Sequence, residues 1–568
     1  MSESHPRPLP RPCPPSCPLR GPALALLAGL ALAACGDREE VWDRTRDVRG
    51  PLALAGHLAW VDAALEELVT VEAQGRDGGG FDFDVVRQSV GRRPVLLAAS
   101  ADGTRALVLT HGTTGGAGYE AQEERLYQLD PTGREAPVAY ELRSPFDALA
   151  LSDDGRWAVA YFATGDAVNP NELAVTRLDQ APAPTTNPRL LPVRTYGSRP
   201  LAVHFLEDLT IGDRDRQLAL VFSRRYVTLI DLEQLDRRVT TVFLSARDST
   251  DAVVPAALAV AAGDASDPEG ATPYVFLRAP GIAEVFSLAL KDNPDAEADQ
   301  NDFGPTVNEI PIPAPPDDFA VFDGPEGPLL LAVHGRTPGV TVVDPRTTAA
   351  WDVRLDASAT RVQVFPAVET REGVRQLALL WAPATAGQTR AGFLVLDDVQ
   401  VRLRRNLETI DLGAPVQQVL PTGDPNRVLL VHDVYSGSLS LLDVADRTVE
   451  PLGVRVSSGV LATHPQGRAF FFAAAGRTAI SELRLDTGHA EELRLDAAPT
   501  GLYALPGRTA GGTLRGRALF VDHGWSSGYL TALPLDAPVR AGARSLQGFL
   551  AEGFLDIDAG RYPAEEVP

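Results

Sequence analysis

Short apolar runs recur along the chain, each followed by a turn rich in Gly or Ser and then by a second run that closes on an aspartate. The stretch 427–449, RVLLVHDVYSGSLSLLDVADRTV, holds the unit in full. Val428 to Val431 are apolar, Tyr435-Ser436-Gly437 make a turn, and Leu439 to Leu442 lead into Asp443. Strand, tight turn, strand is the predicted order, because Gly and Ser punctuate two β-suited runs about eight residues apart.

Aligning the closing aspartate exposes the period. It falls at Asp130, Asp179, Asp231, Asp344, Asp397, Asp443, Asp486 and Asp536, at spacings of 43 to 53 residues except for one of 113. The double gap holds a degenerate copy at 272–290, and an earlier weak copy ends at Glu72. Each unit also has a strand before the hairpin and one after it, such as 414–420 and 449–454 around the hairpin quoted above. Four antiparallel strands repeated about every 40–50 residues predict an all-β fold, a β-propeller of roughly eight to ten blades. A single twisted sheet has two apolar faces that it cannot bury alone, so the blades must stack and the ring must close. Residues 51–92 read as a partial unit, and LQGFLAEGFLDID at 546–558 alternates enough to supply the strand that completes it. The propeller is therefore expected over 51–558, with 559–568 as a tail. Nine or ten units exceed the usual four to eight blades, so the ring is large or some units stand in a side structure or second ring.

The hairpins resemble the YVTN-type β-propeller repeat, lactonase-like and WD40-like in plan, in LVLTHG (107–112), LLAVHG (330–335) and LLVHD (429–433). Histidine takes the place of the pattern's asparagine, and His111, His334, His432 and His523 share this position. The resemblance implies that each histidine bonds its own hairpin turn. It also implies two functions, since such repeats serve binding proteins and enzymes alike. One is a non-enzymatic binding or scaffold propeller; the alternative is a lactonase-like hydrolase with its active site on the ring axis.

The amino terminus reads as a sorting signal over 1–34. Arg7, Arg11 and Arg20 precede an apolar segment at 21–34, too short to span a bilayer, which needs about 20 residues. Leu32-Ala33-Ala34-Cys35 resembles a bacterial lipobox, which implies cleavage before Cys35 and lipidation of its thiol. Cys13 and Cys17 leave with the signal, so no disulfide forms within the mature chain. Several acyl chains, at roughly 0.8 kcal/mol per buried methylene, hold such a protein on a membrane. Gly36 is not the aspartate linked to inner-membrane retention, which implies an outer-membrane lipoprotein of the cell envelope. Residues 35–50 are then the lipidated cysteine and a polar tether.

Charge narrows the partners. The net charge is −23, and losing three Arg and one Glu with residues 1–34 takes it to −25. Nucleic acid is therefore a poor partner. A membrane through Cys35 and an envelope protein or saccharide are the partners expected, with no cofactor.

No candidate for catalysis or metal binding survives in the sequence. The four histidines fall in separate units, whereas a metal needs ligands about 2 Å from one point. Gly524-Trp525-Ser526-Ser527-Gly528 matches G-x-S-x-G but lies between two strands, so it reads as a hairpin tip rather than a nucleophile elbow. The acidic stretch 292–302 has oxygen ligands without EF-hand spacing. The glycines of 112–118 open no helix, which removes the phosphate-cradle reading. The repeated aspartates are expected to accept bonds from backbone amides two residues on and to act alike.

Overall fold

A computed structural model of the chain describes residues 47–550, leaving aside 76–79, 114–121, 165–168, 194, 196–197, 213, 247–251, 262–271, 325, 384–386, 398–406, 433–436, 475–476, 511–512, 525–527 and 536–542. Cys35, the lipobox residues Leu32, Ala33 and Ala34, and Asp536 lie outside the described residues. Among the described residues every element is a strand, and the strands form ten four-stranded antiparallel blades in a ring. Blades one to seven occupy 48–89, 94–141, 148–192, 200–243, 257–311, 318–354 and 361–411; eight and nine share 416–494, and ten takes 501–547. Blades eight and nine share one sixteen-residue strand, Thr448–Thr463, which is the last strand of one and the first of the next.

The middle strands read as continuous apolar runs because both of their faces are covered. Along Gly327–His334, Leu329, Leu331 and Val333 enter the core between blades six and seven, while Leu330 and Ala332 enter the core between five and six. Period-two alternation thus feeds two cores from one strand. There are ten such clusters, one in each of the ten interfaces, so the hydrophobic core is a ring of separate cores rather than one centre. The first strands of successive blades neighbour one another and line the axis. Their middle residues, such as Leu96, Ala98, Leu149, Leu258 and Val260, are half-buried and pack on the interface cores.

The ring closes differently from the sequence expectation. Blade one is complete in itself, with strands Val48–Leu54, His57–Asp62, Glu67–Gly75 and Phe81–Ser89. The final strand, Arg544–Gln547, pairs with Tyr529–Leu533 of blade ten and not with blade one. Among the described residues no strand is exchanged across the seam, and blade one draws all four strands from the entering chain. Two clasps hold the seam instead. Phe549 and Leu550, each 2% exposed, wedge between blades ten and one; the Phe549 ring meets Trp60 edge-on at 5.0 Å, and Arg87 donates to the Phe549 carbonyl. A two-stranded ribbon, Arg508–Ala510 with Thr513–Arg515, is inserted in blade ten and reaches blade one, where Arg508 pairs with the buried Glu72 at 3.3 Å. At Gly516 a Cβ would sit 2.2 Å from the Gly56 carbonyl oxygen, so backbone meets backbone and only glycine fits.

Candidate functional site

The repeated histidines end the second strand of their blades, on the face where the chain also passes from blade to blade. Three of them are buried and bonded alike. Nε2 of His334, His432 and His523 lies 2.7, 2.8 and 3.0 Å from the hydroxyls of Thr341, Ser440 and Thr531 on the facing third strand. Nδ1 of His432 and of His523 lies 3.1 and 3.2 Å from the carbonyls of Ala414 and Ala498, in the connections that enter those blades. A carbonyl only accepts, so those two rings carry their proton on Nδ1 and accept from the hydroxyl at Nε2. At His334 the hydroxyl partner is itself bonded further on: Thr341 donates to Asp352 at 2.7 Å. His111 instead places Nε2 2.9 Å from the Phe146 carbonyl, in the connection into blade three. Burial pushes His334 and His523 below the ordinary imidazole range, which keeps them neutral. Each ring therefore ties a hairpin to its own strands or to a connection, and the four sit in blades two, six, eight and ten.

A polar group surrounds His523. Its ring stacks on Tyr529 at 4.4 Å, and the Tyr529 hydroxyl donates to Asp496 at 3.0 Å. Thr500 bonds Asp522 at 3.0 Å, and burial, against that bond and the Gly524 amide, pushes the Asp522 carboxyl up. The serines of the G-x-S-x-G match, Ser526 and Ser527, lie outside the described residues, as do Gly115 to Gly118.

The aspartates do not share the single role expected. Asp130 accepts from the Thr132 amide at 3.1 Å, Asp231 from Glu233 at 3.1 Å, Asp344 from Arg346 at 2.9 Å and Asp443 from Asp446 at 2.9 Å. Asp179 and Asp486 meet arginine side chains, Arg177 at 2.9 Å and Arg484 at 3.3 Å. Asp397 accepts from the Gln376 amide across the sheet at 3.3 Å. Where the amides of the following turn point back at the strand end, the carboxylate caps them. Asp344→Ala is therefore expected to cost about 1–3 kcal/mol by stranding the Arg346 amide and the Thr347 hydroxyl, bonded at 3.0 Å. Asp486→Ala, at an exposed position, is expected to stay within about 0.5 kcal/mol. Chemical unfolding of the two variants checks this, and equal losses would contradict it.

The acidic stretch 292–302 is held by arginines of blade four. Asp299 pairs with Arg238 at 2.6 Å, and Asp302 gathers Arg214 at 2.6, Arg216 at 2.7 and Arg237 at 3.2 Å. Burial works to raise the Asp302 carboxyl, and the bond and charge of Arg216 with those of Arg237 and Arg214 outweigh it, so it stays below the ordinary range. These oxygens strap blade five to blade four. Among the described residues no three His, Cys, Asp or Glu side chains gather as a metal site.

Sequence reasoning missed the seam clasps and this arginine cluster. The inserted ribbon left a signal, TAGGT at 509–513, a Gly-Gly pair between β-suited residues. Along the first strands of the blades, ionisable and amide groups occur on several blades: Arg49 in one, His204, Glu207 and Asp208 in four, Asp318 and Asp323 in six, Arg361, Gln363 and Glu369 in seven, Gln417 and Gln418 in eight. Arg49 is engaged with the Val95 carbonyl and with Asp47 at 3.0 Å.

No protein-family model matches the chain, and no curated protein matches it in sequence. Among solved structures it is similar to a dihydro-heme d1 dehydrogenase, NirN, in complex with DHE, at 14% identity and a TM-score of 0.37, covering 78% of this chain and 75% of that one. It is also similar to AztD of Citrobacter koseri in the apo form, at 12% identity and a TM-score of 0.30, covering 64% and 85%. A eukaryotic initiation factor matches at 10% identity and a TM-score of 0.41, covering 84% and 97%. At such identities and scores these likenesses carry nothing about ligand or reaction.

Proposed function

We propose that the chain is a membrane-anchored cell-envelope lipoprotein whose propeller, of the YVTN type, works as a non-enzymatic binding scaffold. The observation that carries the binding half is the set of first strands around the axis: among their described residues most side chains are apolar and half-buried, and the ionisable and amide ones are spread over blades one, four, six, seven and eight. A hydrolase with an axial site needs a nucleophile or metal with a base in hydrogen-bond reach. The anchor half is supported by the apolar segment and the Leu32 to Cys35 motif.

Cys35→Ser tests the anchor. The natural protein is expected in the detergent phase on phase separation and the variant in the aqueous phase. A variant that still enters the detergent phase would remove the lipid from the account. For the binding half, the purified protein is expected to leave a panel of lactones and esters intact; turnover that survives repurification would favour the hydrolase.

A further inference from the structure

We propose that the outer edge of blade four is a docking edge, where an extended segment of another polypeptide adds as a fifth strand. This goes beyond the binding reading and stands without it, since an enzyme with the same ring would carry the same edge.

The outermost strand of every blade is a sheet edge with a row of unpaired backbone groups, and proteins blunt such rows with charges or proline. Most blades here follow that rule. Pro192 ends the outer strand of blade three, Asp352 and Arg354 sit in that of six, and Pro451 in that of eight. The outer strand of blade four, Thr240–Phe243, reads Thr-Thr-Val-Phe, with neither charge nor proline. Phe243 is 52% exposed, and no other aromatic side chain among the described residues stands so far out of the fold. It leans on Tyr226 with the rings 5.5 Å apart, which makes an apolar shelf beside the edge.

The register says which backbone groups face outward. The Leu244 amide donates to the Arg225 carbonyl at 2.8 Å, so that pair is hydrogen-bonded across the ladder. Bonded and unbonded pairs alternate, which makes Tyr226 with Phe243 and Thr228 with Thr241 the unbonded pairs. The 3.1 Å contact between the Thr228 and Thr241 hydroxyls fits the closer spacing of such a pair. The N–H and C=O of Thr241 and Phe243 therefore point away from the blade.

The occupant follows from that geometry. Only another extended backbone offers an acceptor and a donor at this spacing, the mode by which peptides add to sheet edges. Four residues fall far short of the roughly 1,000 Å² that a stable association of two folded copies needs, so a single strand fits and a second copy does not. The shelf asks for an apolar side chain in register. Arg224, exposed in the turn before Tyr226 and paired with no described acid, favours an acidic residue beside it.

Panning a displayed library of random dodecapeptides against the purified protein tests this. Enriched peptides are expected to carry an apolar residue near an acidic one. They are expected to lose at least tenfold in affinity with Thr241→Pro, which removes an outward N–H at a place where edge strands tolerate proline, and with Phe243→Lys. Thr241→Val, which keeps that N–H, should bind as the natural protein does, and thermal unfolding should show all three variants folded. Enriched peptides indifferent to both changes, or none enriched at all, would overturn the proposal. So would a concentration-dependent dimer abolished by Phe243→Lys, which would give the edge to a second copy.

Discussion

Ending the chain after Ser545 is expected to destabilise the whole ring and not its last strand alone. The cut removes Leu546 and Gln547, which pair with Leu530 and Tyr529, and it removes the wedge of Phe549 and Leu550. A buried Phe replaced by Ala costs about 3–5 kcal/mol, so Phe549→Ala alone should approach that loss and the truncation should exceed it. The effect spreads because the Phe549 ring contacts Trp60 of blade one: without it, two sheet faces meet across a cavity and the seam becomes the weakest of the ten interfaces. Thermal unfolding followed by circular dichroism compares the three chains. Coincident melts would place the closing energy elsewhere, in the ribbon that carries Arg508.

Arg216→Ala is the second large effect expected. The Arg216 side chain is 3% exposed and pairs with Asp231 at 2.9 Å and Asp302 at 2.7 Å, over the Phe303 ring at 5.2 Å. Its loss leaves the Asp231 carboxylate, 2% exposed, in a buried site without its cation, at a cost of about 3–5 kcal/mol. The loss should depend on pH. Asp302 is held below the ordinary carboxylate range in the folded chain, so its share of the stability is present above about pH 4 and fades as pH falls through the lowered value. The variant lacks much of that share, so the gap between natural and variant chains should narrow in acid. A gap that widens below pH 4 would mean that the cluster does not hold Asp302 ionised.

Both predictions rest on residues whose importance the sequence conceals. Phe549 sits in LQGFLAEGFLDID, where strand-like alternation suggests pairing with blade one. The alternation was legible, but the partner was not, because an antiparallel strand carries no label for its neighbour. Arg216 is one of many arginines in a chain with a single lysine, and its composition looks the same as that of exposed Arg238. Burial separates them, and burial depends on where the acidic stretch of blade five folds back.

The candidate site shows the same limit from another side. The recurrence of His334, His432 and His523 at one register position was plain, and it placed them on one face. Their hydroxyl partners Thr341, Ser440 and Thr531 lie seven to eight residues on, so the pairing was local and readable in principle. The carbonyl of Ala414 or Ala498 was not, since it belongs to the connection leading into the blade.

The sequence by itself determined the repeat, the four-stranded unit and the need for closure. These follow from short-range facts, namely the alternation of apolar residues, the turn residues between runs and the two apolar faces of each sheet. Tertiary structure alone decided that the ring is single with ten blades, that Thr448–Thr463 serves two of them, and that the seam is held by a wedge and a ribbon. It also decided which aspartates cap the turn that follows them. The physical reason is common to all of these: blade number and seam geometry depend on how each sheet twists and packs against the next, a sum over ten interfaces that no single stretch of chain contains.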